Sequence, residues 1–151
     1  MIKFYKVWDD YPNRIRSKWG EFSNFYRRNF YFDGYTWVSS EHAYQALKYK
    51  YVGGGFFNED RFHTIHTAPT CREACDLGRD PAFPFRPDWE EHKNTAMYLV
   101  LRAKFGEHKD LREVLLSTGD EEIVEDSPTD AYWGRGPDWK GRNQLGKCLM
   151  L

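Results

Sequence analysis

Ser39-Ser40-Glu41-His42-Ala43-Tyr44-Gln45-Ala46-Leu47-Lys48 is the stretch whose reading decides the fold. A serine hydroxyl at its head can cap a helix and Gly53-Gly54-Gly55 beyond it can stop one, so the pattern predicts a helix from Ser39 or Ser40 to about Tyr51. At about 100° per residue, Glu41, Gln45 and Lys48 stand at i, i+4 and i+7 and share one stripe. Ala43, Ala46 and Leu47 are left to anchor the helix in a core. A carboxylate, an amide and an amine would then line a cleft, which is how a catalytic helix would look.

On either side of this helix the periodicity changes. Upstream, Ile2, Phe4 and Val7 suggest a strand, Trp19 to Tyr26 reads as a loop, and Phe30 to Trp37 reads as a hairpin turning at Asp33-Gly34. Downstream, Phe56 to Ile65 can form a helix, and Pro69 suits the first turn of another that runs to Gly78. Arg79 to Pro87 holds three prolines and is a loop. Trp89 to Phe105 is the strongest helical pattern, with Ala96, Met97, Val100 and Leu101 on its apolar face. Lys109 to Leu116 gives a shorter helix, Ile123-Val124-Glu125 a short strand, and Asn143 can cap a last helix through Leu151. The fold class expected is α+β and mainly helical, a single domain over 1–151 with a small antiparallel β element.

Composition narrows the function. A chain of 151 residues can bury one core, and a net charge of −1 gives no overall field to hold a long polyanion. Aromatics make up 18% of the residues, which supplies both core area and stacking walls for flat ligands. Cys71, Cys75 and Cys148 form an odd set with no C-x-x-C doublet, so a reducing cytosol and packing roles are expected. Neither a leader nor an apolar run of membrane-spanning length is present, and a soluble, cytoplasmic protein without a membrane partner is expected.

Two clusters carry chemistry. Glu41 lies in a first helical turn, where the dipole favours the ionised carboxylate; it can stabilise an oxocarbenium ion or activate a water, or it can simply support the helix. Lys48 can form an imine if burial lowers its pKa, can hold a phosphate, or can sit idle near a helix end. In Asp130-Ala131-Tyr132-Trp133-Gly134-Arg135-Gly136, Gly134 lets backbone N–H groups approach a ligand, Trp133 can stack on a heterocycle, and Asp130 can serve as a second carboxylate. Asn143 would open a helix whose N-terminus can receive phosphate, with Arg135 nearby. The alternative is a glycine-rich surface loop pinned by a tryptophan. His63 and His66 have metal spacing but no third ligand, so neither a metal nor a cofactor is expected.

Taken together, the chain resembles the NADAR family, also called YbiA-like. The matching elements are Gly20-Glu21-Phe22-Ser23-Asn24-Phe25-Tyr26, Ser39 to Lys48, Arg86-Pro87-Asp88-Trp89, Asp130 to Gly136, and Gly141-Arg142-Asn143-Gln144-Leu145-Gly146-Lys147. The resemblance implies an N-glycosidase that hydrolyses the bond between a (phospho)ribosyl or ADP-ribosyl group and a base. Phosphoribosylamino-pyrimidines of riboflavin biosynthesis are the substrate class it favours. Removal of ADP-ribose from guanine bases of DNA, with ADP-ribosylated nucleic acid as a partner, and a non-catalytic ADP-ribose or NAD-binding module are the alternatives. It also implies that Glu41, Lys48 and Asp130 are catalytic, and that Asn24, Gln45, Trp89, Trp133, Gly134, Arg135 and Asn143 contact the substrate. Arg27-Arg28 departs from the family, which often has proline there, and the added charge points to a more phosphorylated ligand. The chain ends at Leu151, where relatives often continue with an arginine-bearing tail. No pattern in the sequence specifies an oligomeric state.

Overall fold

The computed structural model describes residues 1–7, 17–50 and 57–151. Among these, six α-helices and four short strands form two compact units, one from 1–26 and 108–151, the other from 27–107. The expected mixed, mainly helical class is what the chain adopts. The Gly53-Gly54-Gly55 stop and Phe56 lie outside the described residues.

The second unit begins with a hairpin of β2 (Arg27–Phe32) and β3 (Tyr35–Ser39), antiparallel with Phe30 opposite Trp37 and Phe32 opposite Tyr35. Asp33 and Gly34 both take positive φ, 50° and 85°, as a two-residue turn matched to strand twist requires. The turn is locked from outside by Lys50, whose Nζ lies 2.9 Å from Asp33 Oδ2. Ser39 ends β3 and caps α1 (Ser40–Ala46) by accepting from the His42 N–H at 3.1 Å. A tighter 3-10 turn, Leu47–Tyr49, completes the helix predicted from the sequence.

Around α1 stand α2 (Glu59–His66), α3 (Cys71–Leu77) and α4 (Trp89–Glu107), all packed against it. Every residue of α1 is consequently buried, including Glu41 and Gln45. Two starts differ from expectation. Asn58 caps α2, so that helix begins at Glu59, and Thr70 caps α3, which leaves Pro69 outside it rather than in its first turn. In both places a side-chain oxygen that accepts a backbone N–H sets the boundary. His63 and His66 belong to an aromatic cluster with Tyr35, Trp37 and Phe62.

In the first unit, β1 (Ile2–Phe4) pairs in parallel with β4 (Ile123–Glu125), Ile2 opposite Ile123. Val7 falls outside the strand, because its carbonyl turns to accept from the Ser17 N–H. A 3-10 turn at Gly20–Phe22 presents Phe22 edge-on to Phe4, 5.9 Å between centroids. The remaining helices are α5 (Lys109–Leu116) and α6 (Gln144–Met150), the latter lying on β4.

Gly34 has open space around its Cα, so Gly34→Ala tests the turn conformation alone. Holding an L-residue in the left-handed region should cost about 1 kcal/mol of unfolding free energy, read from urea denaturation. An unchanged midpoint would contradict the assigned turn.

Candidate active site

The stripe expected on α1 forms, but inside the second unit rather than on a wet cleft wall. Gln45 Nε2 donates to Glu41 Oε1 at 2.8 Å, and Lys48 Nζ donates to the Gly78 carbonyl at 2.9 Å. Glu41, Gln45 and Lys48 are each less than a tenth exposed. Lys48 Nζ also lies 4.9 Å from the Phe85 ring centroid and 5.7 Å from that of Tyr44. A buried carboxyl and a buried amine thus stand on one helix and its terminal turn.

Burial sets their protonation. Loss of water around Glu41 raises its pKa and outweighs the lowering effects of Gln45, Cys75, Lys48 and Arg79. The first-turn dipole expected to favour the anion is that of a seven-residue helix, and desolvation wins. Glu41 is therefore more readily protonated than a free glutamate, a shift opposite in direction to the one the helix dipole favours. Desolvation also pulls the Lys48 amine down to about 8, against the opposing pull of Glu41. The condition for a nucleophilic lysine is met. Cys75, whose thiol bonds Glu41, is pushed up to about 11, first by burial and then by that carboxyl, so it is a thiol and not a thiolate.

Neighbouring groups fix the backbone of this turn. Arg86 is buried; its N–H donates to the Lys48 carbonyl at 2.7 Å, and its guanidinium reaches the Lys50 carbonyl at 2.9 Å and Asp88 at 2.6 and 2.8 Å. The next motif residue, Trp89, opens α4 buried against Tyr44, with centroids 5.3 Å apart. It is a wall behind the stripe more than an open stacking surface. His42 is committed elsewhere: Nε2 donates to the Ala68 carbonyl at 2.9 Å, which leaves Nδ1 to accept from the Ser39 hydroxyl at 2.6 Å. Burial lowers its pKa, in keeping with this neutral tautomer. Arg27 donates to the Pro69 carbonyl at 3.1 Å.

Gly78 and Phe85 also touch Lys48, and no chemical pattern in the sequence marks either. Gly78 borders the proline-rich loop over 79–87 and Phe85 lies within it; the loop carries no periodicity, and only the contacts of both with Lys48, and of Gly78 with Gln45, single them out.

The glycine-rich segment is organised differently from the expected phosphate cradle. The N–H groups of Asn143, Gln144 and Leu145 donate to the carbonyls of Gly134, Tyr132 and Trp133, so the start of α6 is spent on the chain's own loop. Asn143 takes a left-handed conformation, and its side chain makes no cap. Its Oδ1 instead accepts from the Glu125 N–H at 3.0 Å and its Nδ2 donates to the Ile123 carbonyl at 2.9 Å. Arg135 Nε donates to Asp126 at 2.5 Å, and the guanidinium covers Trp139 at 4.5 Å. At Gly134 a Cβ would stand 2.9 Å from Ser127 Cβ, so here the absent side chain serves packing of the loop on itself. Asp130 Oδ1 accepts from the N–H groups of Tyr132 and Trp133, each at 2.9 Å, and thereby holds Trp133 half-buried. Asn24 is buried just after the 3-10 turn at Gly20–Phe22. Among the described residues no cluster of three or more metal-ligating side chains occurs, and no helix is long and apolar enough to cross a membrane.

A small α+β fold with an acid and an amine withdrawn from water is that of an enzyme site. The NADAR domain model matches residues 4–151, and the chain belongs to the NADAR family. It is 40% identical over 150 residues to N-glycosidase YbiA of Escherichia coli, covering 99% of this chain and 84% of that protein. An N-glycosidase of Nostoc punctiforme is 42% identical, with 99% and 88% covered. The NMR structure of the Escherichia coli YbiA protein superimposes with a TM-score of 0.80 over 99% of this chain and 80% of that one. A chloroplastic riboflavin biosynthesis protein of Zea mays is 37% identical, covering 99% of this chain and 24% of that longer protein. The enzyme class expected from the sequence, a hydrolase of N-glycosyl compounds, agrees with these names.

The shifted groups predict the pH dependence of stability. Glu41 holds its proton more tightly folded than unfolded, so its contribution is complete below about 4.5 and is lost as pH rises through its folded pKa. Lys48 behaves oppositely: between about 8 and 10.5 the unfolded chain binds the extra proton, and stability rises with pH. Denaturation series for wild type, Glu41→Gln and Lys48→Met should show the first slope missing in Glu41→Gln and the second in Lys48→Met. Parallel pH curves for all three would sink this assignment.

Proposed function

We propose that the protein is an N-glycosidase that uses Lys48 as nucleophile and Glu41 as proton donor to release a nitrogenous base from a phosphoribosyl group. The observation that carries this reading is the Lys48 amine, pulled to about 8, in the turn that ends the buried helix of Glu41, a carboxyl whose pKa burial raises. The neutral Lys48 amine attacks the anomeric carbon while the C–N bond to the base breaks; the departing electron pair takes the proton of Glu41. Glu41, now a carboxylate, removes a proton from the new C–N centre. The nitrogen lone pair then opens the sugar ring to an imine, the ring oxygen taking up a proton. Water adds to the imine carbon and the amine leaves, so the balance is substrate plus water to base plus sugar phosphate. Gln45 keeps the Glu41 carboxyl oriented through its 2.8 Å hydrogen bond.

Phosphoribosylamino-pyrimidines are the proposed substrates. The riboflavin biosynthesis names of the relatives in Zea mays and Vibrio vulnificus support that class. The roles that the family resemblance implies for Asn24 and Trp133, as ligand contacts, and for Asp130, as a catalytic residue, belong to the same proposal. The bonds of Asn143, Gly134 and Arg135 described above favour a supporting role for those three. One domain over 1–151 and a cytoplasmic location belong to the same proposal.

Incubation with phosphoribosylamino-uracil and with ADP-ribosylated guanine, followed by mass spectrometry for free base, tests reaction and substrate together. Borohydride added during turnover should fix the sugar phosphate to Lys48, and Lys48→Arg should abolish both adduct and turnover. Turnover by Lys48→Arg at the wild-type rate excludes the nucleophile. Glu41→Gln should lower kcat roughly 10²- to 10⁴-fold. Its residual rate should climb with pH to a plateau, with a midpoint near about 8, because Lys48 must lose its proton to attack. A residual rate that falls over this range would show that the charged amine is the working form.

A further inference from the structure

We infer that Gly78, at the end of α3, is a positioning residue for the Glu41–Gln45–Lys48 group, acting through its carbonyl on one side and its missing side chain on the other. The inference rests on the N-glycosidase reading for its kinetic consequence and on geometry alone for its structural one.

Gly78 caps α3 with φ −75° and ψ −2°, a right-handed conformation open to any L-residue. Backbone freedom therefore does not explain the glycine. Space does: a Cβ built there would lie 2.0 Å from Gln45 Oε1, 2.7 Å from Gln45 Cδ and 3.0 Å from Gln45 Cβ. The carboxamide of Gln45 occupies the volume that any side chain at 78 would claim. Its Oε1 is buried without a hydrogen-bond partner, so the amide is held against Gly78 by packing and by the bond that its Nε2 makes to Glu41. A polar atom left unpaired in this way is costly, and it persists where the surrounding structure leaves the group nowhere else to go.

The Gly78 carbonyl meanwhile accepts from Lys48 Nζ at 2.9 Å. One N–H bound there fixes the direction of the amine, and the lone pair of the neutral form is left aimed away from the carbonyl. A single residue thus sets the orientation of the proton donor, through Gln45, and of the nucleophile directly. A Cβ at 78 would move the amide, release its bond to Glu41 and displace the Lys48 contact together.

Gly78→Ala tests this, with Gly106→Ala as control, since Gly106 lies in α4 with nothing within 4 Å of its built Cβ. In Gly78→Ala, kcat should fall about 10- to 100-fold with KM little changed, as expected for sub-ångström misplacement of reacting groups, while Gly106→Ala keeps wild-type kcat. In a Gln45→Ala background the same Gly78→Ala change should cost no more than about twofold, because the group it strikes is gone. Wild-type kcat in Gly78→Ala, or an equal loss in both backgrounds, overturns the proposal. If Gly78→Ala does not fold, recovery of the fold in the Gln45→Ala, Gly78→Ala double variant supports it and continued failure to fold overturns it. An NMR titration of the Lys48 ammonium reads the geometry without turnover. Its midpoint, which burial pulls down to about 8, should move in Gly78→Ala, and an unmoved midpoint overturns the proposal whether or not the wild type cleaves the chosen substrate.

Discussion

Removal of water from one short helix governs this site. With α2, α3 and α4 all packed on α1, Glu41, Gln45 and Lys48 exchange water for one another, the Gly78 carbonyl, the Cys75 thiol and the rings of Tyr44 and Phe85. An isolated ion in such surroundings is expensive, and proteins commonly respond by shifting the pKa toward the neutral form. Both groups move in that direction, the acid up and the amine down. The same desolvation that weakens the fold is what gives each group its chemical use, since an aqueous lysine is too basic to be a nucleophile and an aqueous glutamate too acidic to donate a proton at neutral pH.

Precision around the pair comes from residues that do no chemistry. Arg86 ties the turn after α1 to the start of α4 by grasping the Lys48 and Lys50 carbonyls and Asp88. Ser39 and His42 satisfy the helix start and anchor it to the Ala68 carbonyl. Lys50 closes the hairpin turn from the far end of the same segment. In the first unit, Asn143 plays a comparable role: its side chain bonds both ends of β4 along one edge, which explains an asparagine in left-handed conformation better than a ligand would.

Much of the second unit was legible in the sequence because the deciding signals are local. Asp33-Gly34 specifies its turn, Ser39 its cap, and the apolar period of Trp89 to Phe105 its helix. Helix starts at Glu59 and Cys71 were less legible, since either a capping side chain or a proline could set them and only the bonds made decide. The parallel pairing of β1 with β4 could not be read at all: the two strands lie more than a hundred residues apart, and three-residue strands carry almost no pattern.

The sequence by itself determined that Glu41, Gln45 and Lys48 share a helix face and that the chain carries the motifs of the NADAR family. Spacing along the chain is covalent, and once the segment is helical that spacing sets which side chains share a stripe. Tertiary structure decided that the whole of that helix is dry, and with it the direction of the Glu41 pKa shift, where the dipole alone points the other way. It also decided that the Gly134 to Asn143 glycines and N–H groups serve the loop's own closure, because hydrogen bonds go to whichever acceptors the fold brings near. Gly78 belongs wholly to this second category: nothing in a lone glycine after Leu77 announces a contact with Gln45, thirty-three positions earlier.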